Sequence, residues 1–222
     1  MSRGALEGIK VIELATMVSG PYCGKMLADL GADVIKIEPP EGDPSRQIGP
    51  FPKTGADPEC SALFLYNNTS KRGITLNLNS AEGTTALKRL LRWADVLIDN
   101  HPPLYLDNLG LTWDVIHEIN PGLVFTCITA YGRTGPRSGV QGDELTLVHA
   151  GSLGNLFPTR SYDIDRAPVK MGGYAVGYHG GLHAALITLG AVMGKRKTGY
   201  GQMIDISLQE VILAMNRTSP PS

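Results

Sequence analysis

Short apolar runs alternate with segments of helical periodicity along most of this chain. The first unit consists of a β-branched run at 8–14, a helical segment at 21–30 that Gly31 ends, and a second β-branched run at 32–38. A β-α-β unit of this kind makes a right-handed crossover between parallel strands. This alternation restricts the chain to an α/β fold.

The same alternation continues toward the C-terminus. The pattern predicts further strands at 73–78, 95–99, 123–129 and 203–208, and further helices at 80–93, 111–119, 144–153, 182–193 and 208–215. Helices that connect parallel strands cover both faces of the sheet. The sequence therefore predicts a Rossmann-like, doubly wound and mostly parallel sheet, with ligands bound at the carboxyl ends of its strands. Residues 39–60 are rich in proline and glycine and predict a long functional loop.

Composition narrows the classes of partner. The chain has 222 residues and a formal net charge of −1, which provides no field to attract nucleic acid or an anionic membrane. Its three cysteines, Cys23, Cys60 and Cys127, form no paired motif, which favours free thiols in a reducing compartment. The N-terminus lacks a secretion signal, and no uninterrupted apolar run reaches the roughly 18 residues of a membrane span. We expect a cytoplasmic protein that binds neither nucleic acid nor membrane.

Several nucleotide and nucleophile motifs are missing. The junction between the first strand and helix, residues 15–21, has one glycine, which disfavours a dinucleotide fingerprint. Backbone N–H groups at this helix start still suit an anionic ligand. Neither the phosphate-binding loop GxxxxGK[ST] nor the nucleophile elbow GxSxG occurs.

Two histidines have the spacing of metal ligands. His179 and His183 are four residues apart and could share one helix face, but Gly180 and Gly181 between them argue against a regular helix. Neither an HExxH motif nor a third ligand is evident. The sequence predicts no metal site.

Several segments together resemble one family. They are LEGIKVIEL, GPYCGKMLADLGADVIKIEPPEGDPSR, KRGITLNLNSAEG, ADVLIDN, LGLTWDVIHEINPGLVFTCITAYGRTGP and KTGYGQMIDISLQEVIL. In this order and spacing, from residue 6 to about 213, they resemble the class III CoA-transferases, the group of formyl-CoA transferase, carnitine CoA-transferase and α-methylacyl-CoA racemase.

The resemblance implies a Rossmann-like CoA-binding domain over residues 1–200 and, over 201–222, the start of a connection to a second domain. Because family chains are longer and interlock in pairs, it also implies that the C-terminal part of the family fold is absent here. The partners implied are an acyl-CoA, a carboxylic acid, and either a second copy of the chain or a complementing subunit. CoA is then a substrate and not a permanently bound cofactor.

In the transferases that the chain resembles, an aspartate attacks the acyl-CoA thioester to form a mixed anhydride, and CoA thiolate then forms an enzyme thioester. Racemase members instead exchange the proton next to the thioester with an acid/base pair. The resemblance assigns eight positions to the border of CoA: Ala15, Thr16, Met17, Val18, Leu76, Asn100, Tyr131 and Gly132. Prolines at 39 and 102 replace basic residues of the family, so weaker CoA binding is expected.

The stretch 171–183, MGGYAVGYHGGLH, matches the family's catalytic loop. Gly177 stands where the attacking aspartate is expected, and no acidic residue lies between Asp165 and Asp205. Asp143, Glu144, Asp163 and Asp165 are possible substitutes, although a helix-start or solvated carboxylate is the simpler interpretation of each. Three alternatives therefore remain: a CoA-transferase, a racemase-type member, or a CoA-binding protein without catalysis.

Overall fold

The structure is a computed structural model that describes residues 4–53, 55–156, 165 and 167–215. Its centre is a sheet of six parallel strands in the order β3-β2-β1-β4-β5-β6. The strands are β1 (Lys10–Leu14), β2 (Asp33–Glu38), β3 (Arg72–Thr75), β4 (Val96–Asp99), β5 (Val124–Thr129) and β6 (Met203–Ser207). The predicted Rossmann-like α/β fold is confirmed.

Within the described residues, eight α-helices connect and cover the strands. They are α1 (Ser19–Asp29), α2 (Ala62–Asn67), α3 (Ala81–Trp93), α4 (Tyr105–Asn108), α5 (Trp113–Ile119), α6 (Glu144–Ala150), α7 (Ala175–Thr198) and α8 (Leu208–Met215). Side chains of alternating strand residues divide the core in two, because successive residues of a strand face opposite sides of the sheet. Val11 packs with α1 and α7 on one face, and Ile12 packs with α3 and α5 on the other.

The strand order reverses between β1 and β4, the central pair of the sheet. In open α/β sheets, the crevice beyond the carboxyl ends of such a pair is where ligands bind. The turns after β1, β4 and β5 meet at this edge. The fold therefore places the predicted CoA-contacting turns on one side of the molecule.

Helix α7 begins earlier than the sequence pattern predicts. The predicted helix over 182–193 lies within α7, but the prediction of mostly irregular chain directly before it is wrong, because α7 begins at Ala175 and continues through Gly177, Gly180 and Gly181. The glycines allow close packing: a Cβ atom at Gly181 would lie 2.5 Å from the carbonyl oxygen of Ser19. Tertiary packing against α1 thus outweighs the low helix propensity of glycine.

Helix α7 also has the length and mean hydropathy of a membrane span, unlike any other described helix. Half of its most apolar window is buried inside the protein, and Ala184 and Val192 belong to the core between α7, α1 and the sheet. These contacts are those of a core helix of an α/β domain.

Strand β6 and helix α8 lie within residues 201–222, the region predicted to start a connection to a second domain. Strand β6 pairs with β5 over its whole length, and Val211 of α8 is buried in the same core as α7. Residues 203–215 are therefore part of the sheet and its cover. The boundary at residue 200 stays a prediction.

Candidate active site

Two adjoining cavities open at the carboxyl ends of the strands. The first, of about 490 Å³, lies beyond β4 and β5 and is lined by Asn100, His101 and Arg133. The second, of about 650 Å³, lies between the β1–α1 turn, the start of α6 and the start of α7. Gly142 lines both. Together they form a crevice of the size that holds an extended small molecule.

The turn between β1 and α1 is held by Asn100, which follows β4. The N–H of Thr16 donates to Asn100 Oδ1 (2.9 Å), and Asn100 Nδ2 donates to the Thr16 carbonyl oxygen (2.8 Å) and to the Ser19 hydroxyl (3.1 Å). Met17 takes the left-handed conformation with a φ of 64°, which costs energy for a residue with a side chain. The side chain of Asn100 therefore positions a turn whose backbone is strained.

A network of buried ion pairs also holds the β1–α1 turn. Lys36 on β2 is 2% exposed, and its Nζ lies 3.1 Å from Glu13 Oε1 and 2.8 Å from Asp43 Oδ2. Asp43 Oδ1 accepts the N–H of Met17 (3.1 Å), and Lys36 Nζ donates to the Ala15 carbonyl oxygen (2.7 Å). The network thus joins the GDPSR loop to the β1–α1 turn.

Charges within this network shift pKa values against the effect of burial. Burial alone would raise the pKa of Asp43, but the Lys36 ammonium and the hydrogen bonds from Ser45 together lower that pKa. Burial would likewise raise the pKa of Glu38. Two hydrogen bonds from the Arg46 guanidinium (2.7 and 2.9 Å) act against burial, and the pKa of Glu38 is lowered. Burial lowers the pKa of Lys71 to about 8, and nearby Glu13 offsets part of that effect.

The lowered pKa values of Asp43 and Glu38 predict acid sensitivity. Each folded-state pKa lies below its unfolded value of 3.8 or 4.5, so their contribution to stability is complete above about pH 5 and is lost as the pH falls through the unfolded and then the folded pKa. We expect the urea concentration at the midpoint of unfolding to decrease as the pH is lowered from 6 to ~3. The variant Asp43→Asn should be less stable at pH 6 and show a shallower fall. An equal slope in both proteins would contradict this assignment.

The catalytic-loop stretch forms the first turns of α7, and a carboxylate from another helix meets it there. The N–H groups of Val176 and Gly177 donate to Glu144 Oε2 (3.0 Å) and Oε1 (2.9 Å). These N–H groups have no partner within the helix, so an anion at this end stabilises it. A Cβ atom at Gly177 would lie 3.4 Å from Glu144 Oε1 and 3.0 Å from Val18 Cβ. Glu144 thus brings a carboxylate to the position where Gly177 has none.

The model of one protein family matches almost the whole chain: CoA-transferase family III matches residues 6–221. The chain belongs to CoA-transferase family III. Succinyl-CoA:D-citramalate CoA-transferase of Chloroflexus aurantiacus is 33% identical to it over 221 residues, and the match covers 97% of this chain and 52% of that enzyme. Formyl-CoA:oxalate CoA-transferase of Escherichia coli is 37% identical over 215 residues, with 96% and 49% covered. The family III chain spans about half the length of these curated relatives.

Solved structures of related proteins share the fold. A CaiB/BaiF family protein from Brucella suis is 34% identical and superposes with a TM-score of 0.86, covering 99% of this chain and 60% of its own. A Mycobacterium tuberculosis protein is 27% identical with a TM-score of 0.87, covering 98% of this chain and 59% of its own. The sheet described above is therefore that of family III proteins.

The residues that the family resemblance assigns to CoA lie in the crevice, in a smaller cleft and in the turn after β5. Met17 and Val18 line the larger cavity, and Ala15 and Thr16 complete the same turn. Leu76 lines a smaller cleft of about 80 Å³, together with Thr16 and Pro39. These positions stay predictions as CoA contacts.

Tyr131 and Gly132 follow β5, and their contacts are with neighbouring parts of the protein. Tyr131 packs against the hydrophobic cluster that includes Leu147, and the Arg137 guanidinium lies 5.8 Å from the centre of its ring. Gly132 has a φ of 86°, which favours glycine, and a Cβ atom there would lie 3.5 Å from Asp205 Oδ2. Their neighbour Arg133 lines the crevice.

The structure adds three side chains that the sequence analysis did not assign. His101 lines the crevice, bonds to the buried Asp99 through Nδ1 (2.6 Å) and stacks on Tyr105. Arg133 lines the cavity that also includes Pro102, and Lys170 lines the cavity next to α7. Arg133 directly follows the Tyr-Gly pair of the YGRTGP motif, which was the available signal. Cations are thus present in the crevice despite the prolines at 39 and 102.

The acidic residues considered as substitutes for the missing aspartate differ in their contacts. Asp143 caps α6 by accepting the Thr146 N–H (2.8 Å), and this hydrogen bond lowers the pKa of the Asp143 carboxyl. Asp165 is exposed, and Asp163 lies outside the described residues. Glu144 is the substitute candidate that contacts position 177.

The histidine pair in α7 shows a second error of the local sequence reasoning. His179 and His183 lie in one regular helix, and His183 Nδ1 bonds to the His179 carbonyl oxygen (2.8 Å). Among the residues that the structure describes, no three His, Cys, Asp or Glu side chains are grouped so as to hold a metal ion.

Proposed function

We propose that this family III chain forms the acyl-CoA-binding part of a CoA-transferase, which moves CoA between an acyl-CoA thioester and a carboxylic acid. The main support for this proposal is the Glu144 carboxylate, which two backbone N–H groups hold at the start of α7. This carboxylate lines the crevice at the carboxyl ends of the parallel strands. A thioester carbonyl is an electrophile that a positioned carboxylate can attack.

The crevice has the features that such a substrate requires. The strained β1–α1 turn presents backbone N–H groups at the start of α1, where phosphate and other anionic groups are stabilised. Arg133 and Lys170 add positive charge on either side of Gly142. The acidic acceptor and the phosphates of CoA are both anions, so these cations favour both substrates.

The names of the relatives suggest which substrates to test. They specify succinyl-CoA or formyl-CoA as donors and D-citramalate, oxalate or glutarate as acceptors or exchange partners. We expect the full protein to form a new acyl-CoA from at least one donor and acceptor, measured by mass spectrometry of the CoA products. Reactions without the acceptor are the control, because hydrolysis alone releases free CoA.

The same experiment tests the alternative of a non-catalytic CoA-binding protein. Calorimetry with CoA measures binding independently of turnover. Binding of CoA without product from any donor and acceptor would favour that alternative, and absence of both would contradict the proposed function.

We further propose that the complete protein acts as a dimer in the cytoplasm. The free thiols of Cys23 and Cys127 are buried, which suits a reducing compartment. Helix α7 also leaves large apolar side chains exposed, including Leu186 and Met193, which suits coverage by a second chain. Light scattering on the full protein tests the assembly, and a monomer would contradict it.

A further inference from the structure

We infer that Glu144 supplies the attacking carboxylate of the transfer reaction, in place of the aspartate that position 177 lacks. This inference rests on the proposed function and goes further by naming the residue that is acylated. Its basis is a contact between two segments 33 residues apart: the N–H of Gly177 donates to Glu144 Oε1.

The position of the carboxylate is the first argument. An aspartate at 177 would extend from a Cβ atom 3.4 Å from Glu144 Oε1, so the Glu144 carboxylate lies directly beside the position of the missing side chain. The Cβ atom would also lie 3.0 Å from Val18 Cβ, which is tighter than ordinary van der Waals contact. The carboxylate that lies next to position 177 in this chain thus comes from α6.

Access is the second argument. Glu144 is partly exposed and lines the cavity of about 650 Å³. Of the described residues that line this cavity, Asp143 and Glu144 carry carboxylates. Asp143 is engaged in capping its own helix through Thr146, whereas both oxygens of Glu144 point to the start of α7. Each oxygen of Glu144 accepts one backbone hydrogen bond and keeps a lone pair for reaction.

The first half of the reaction balances without an added proton or cofactor. Glu144 Oε1 attacks the thioester carbonyl carbon, the carbon–sulfur bond breaks, and CoA leaves as the thiolate with the bonding electron pair. The product is a mixed anhydride between Glu144 and the acyl group. The thiolate then attacks Cδ of Glu144 and expels the acyl group as a carboxylate that carries Oε1 away, which leaves a glutamyl thioester.

The second half reverses these steps with the acceptor acid. An acceptor oxygen attacks Cδ of the glutamyl thioester and releases the thiolate, which then attacks the acceptor carbonyl carbon. The new acyl-CoA departs, and Glu144 regains its carboxylate with one oxygen from the acceptor. In the tetrahedral states at Cδ, the N–H groups of Val176 and Gly177 are placed to stabilise the developing oxyanion.

The test uses the full protein with a donor that gives transfer, starting with succinyl-CoA. Borohydride trapping followed by peptide mass spectrometry should map the modified residue to Glu144. With an acceptor labelled with oxygen-18, the label should appear in the Glu144 peptide. Neither measurement requires a variant, so neither depends on how a substitution folds.

Variants provide the second arm. Glu144→Gln keeps the side-chain shape and removes the nucleophile, so we expect transfer to fall by roughly 100-fold or more and trapping to cease. Glu82→Gln is the matched control, because Glu82 is an exposed acidic residue in the first turn of α3, away from the crevice. It should retain transfer and trapping.

The outcomes separate the inference from the proposed function. Transfer by Glu144→Gln within ~10-fold of wild type, or a trapped adduct on another residue, would overturn the inference and leave the transferase function standing. An adduct on Glu144 that carries acceptor oxygen would support both. A wild-type protein that neither binds CoA nor transfers it would overturn both.

Discussion

Replacing Lys36 by methionine is expected to lower the free energy of unfolding by about 3–5 kcal/mol. Lys36 and Lys71 together balance Glu13 and Asp43 within the core, where the side chains of both lysines are 2% exposed. Without Lys36, two buried carboxylates face one remaining cation, so one negative charge stays unpaired. Removing one partner of a buried pair costs more than the pair itself contributes. Urea denaturation at pH 7 measures the loss.

An exposed ion pair is the matched control for Lys36. Arg72 on β3 pairs with Asp33 on β2 at 2.7 Å, with side-chain exposures of 62% and 45%. Because solvent screens this pair, Arg72→Met should cost no more than about 1 kcal/mol. Equal losses for Lys36→Met and Arg72→Met would show that the buried network does not stabilise the fold as its burial implies. Lys36→Met should also weaken CoA binding, since Lys36 and Asp43 hold the β1–α1 turn.

Replacing Gly181 by alanine is expected to destabilise the protein by about 3 kcal/mol or more, at the upper end of the usual cost of overpacking. The added Cβ atom would lie 2.5 Å from the Ser19 carbonyl oxygen and 3.1 Å from Tyr22 Cβ. The nearest atom belongs to the backbone, so no side-chain rotation relieves the contact. Helices α1 and α7 would have to separate, and both border the crevice, through Ser19 and Gly177.

Gly190 in the same helix should respond in the opposite direction. A Cβ atom at Gly190 would meet no other atom within 4 Å, and the residue is exposed. Gly190→Ala should therefore stabilise the protein by up to about 1 kcal/mol, the difference in helix propensity. Thermal melts of both variants measure this contrast. A stabilising Gly181→Ala would show that α1 and α7 do not approach as closely as the structure has them.

The position of the crevice follows from patterns that the sequence displays locally. Apolar runs such as 8–14 and 123–129 predict buried strands without reference to distant residues, and the helices between them impose parallel pairing. Once parallel pairing is known, the turns after the strands must meet at one edge of the sheet. For this reason, the Rossmann-like fold and the role of residues 15–18 as a turn at the candidate site could be predicted.

The errors lie where distant segments change a local preference. Glycine disfavours helix in isolation, so the sequence predicts mostly irregular chain over 154–181. In the folded protein, Gly181 permits contact with α1, and Glu144 accepts the N–H groups at the start of α7. Those contacts stabilise two helical turns that the local pattern does not predict.

Some features of the candidate site likewise follow from the sequence alone, and others depend on the tertiary structure. The sequence by itself determined the alternating fold, the family and the absence of an acidic residue at position 177, because each depends on residue order alone. Only the tertiary structure decided that Glu144 reaches Gly177 and that Asn100 holds Thr16, since these pairs are 33 and 84 residues apart. Their proximity arises from the packing of α6 against α7 and of β4 beside β1, and no local periodicity encodes such distances.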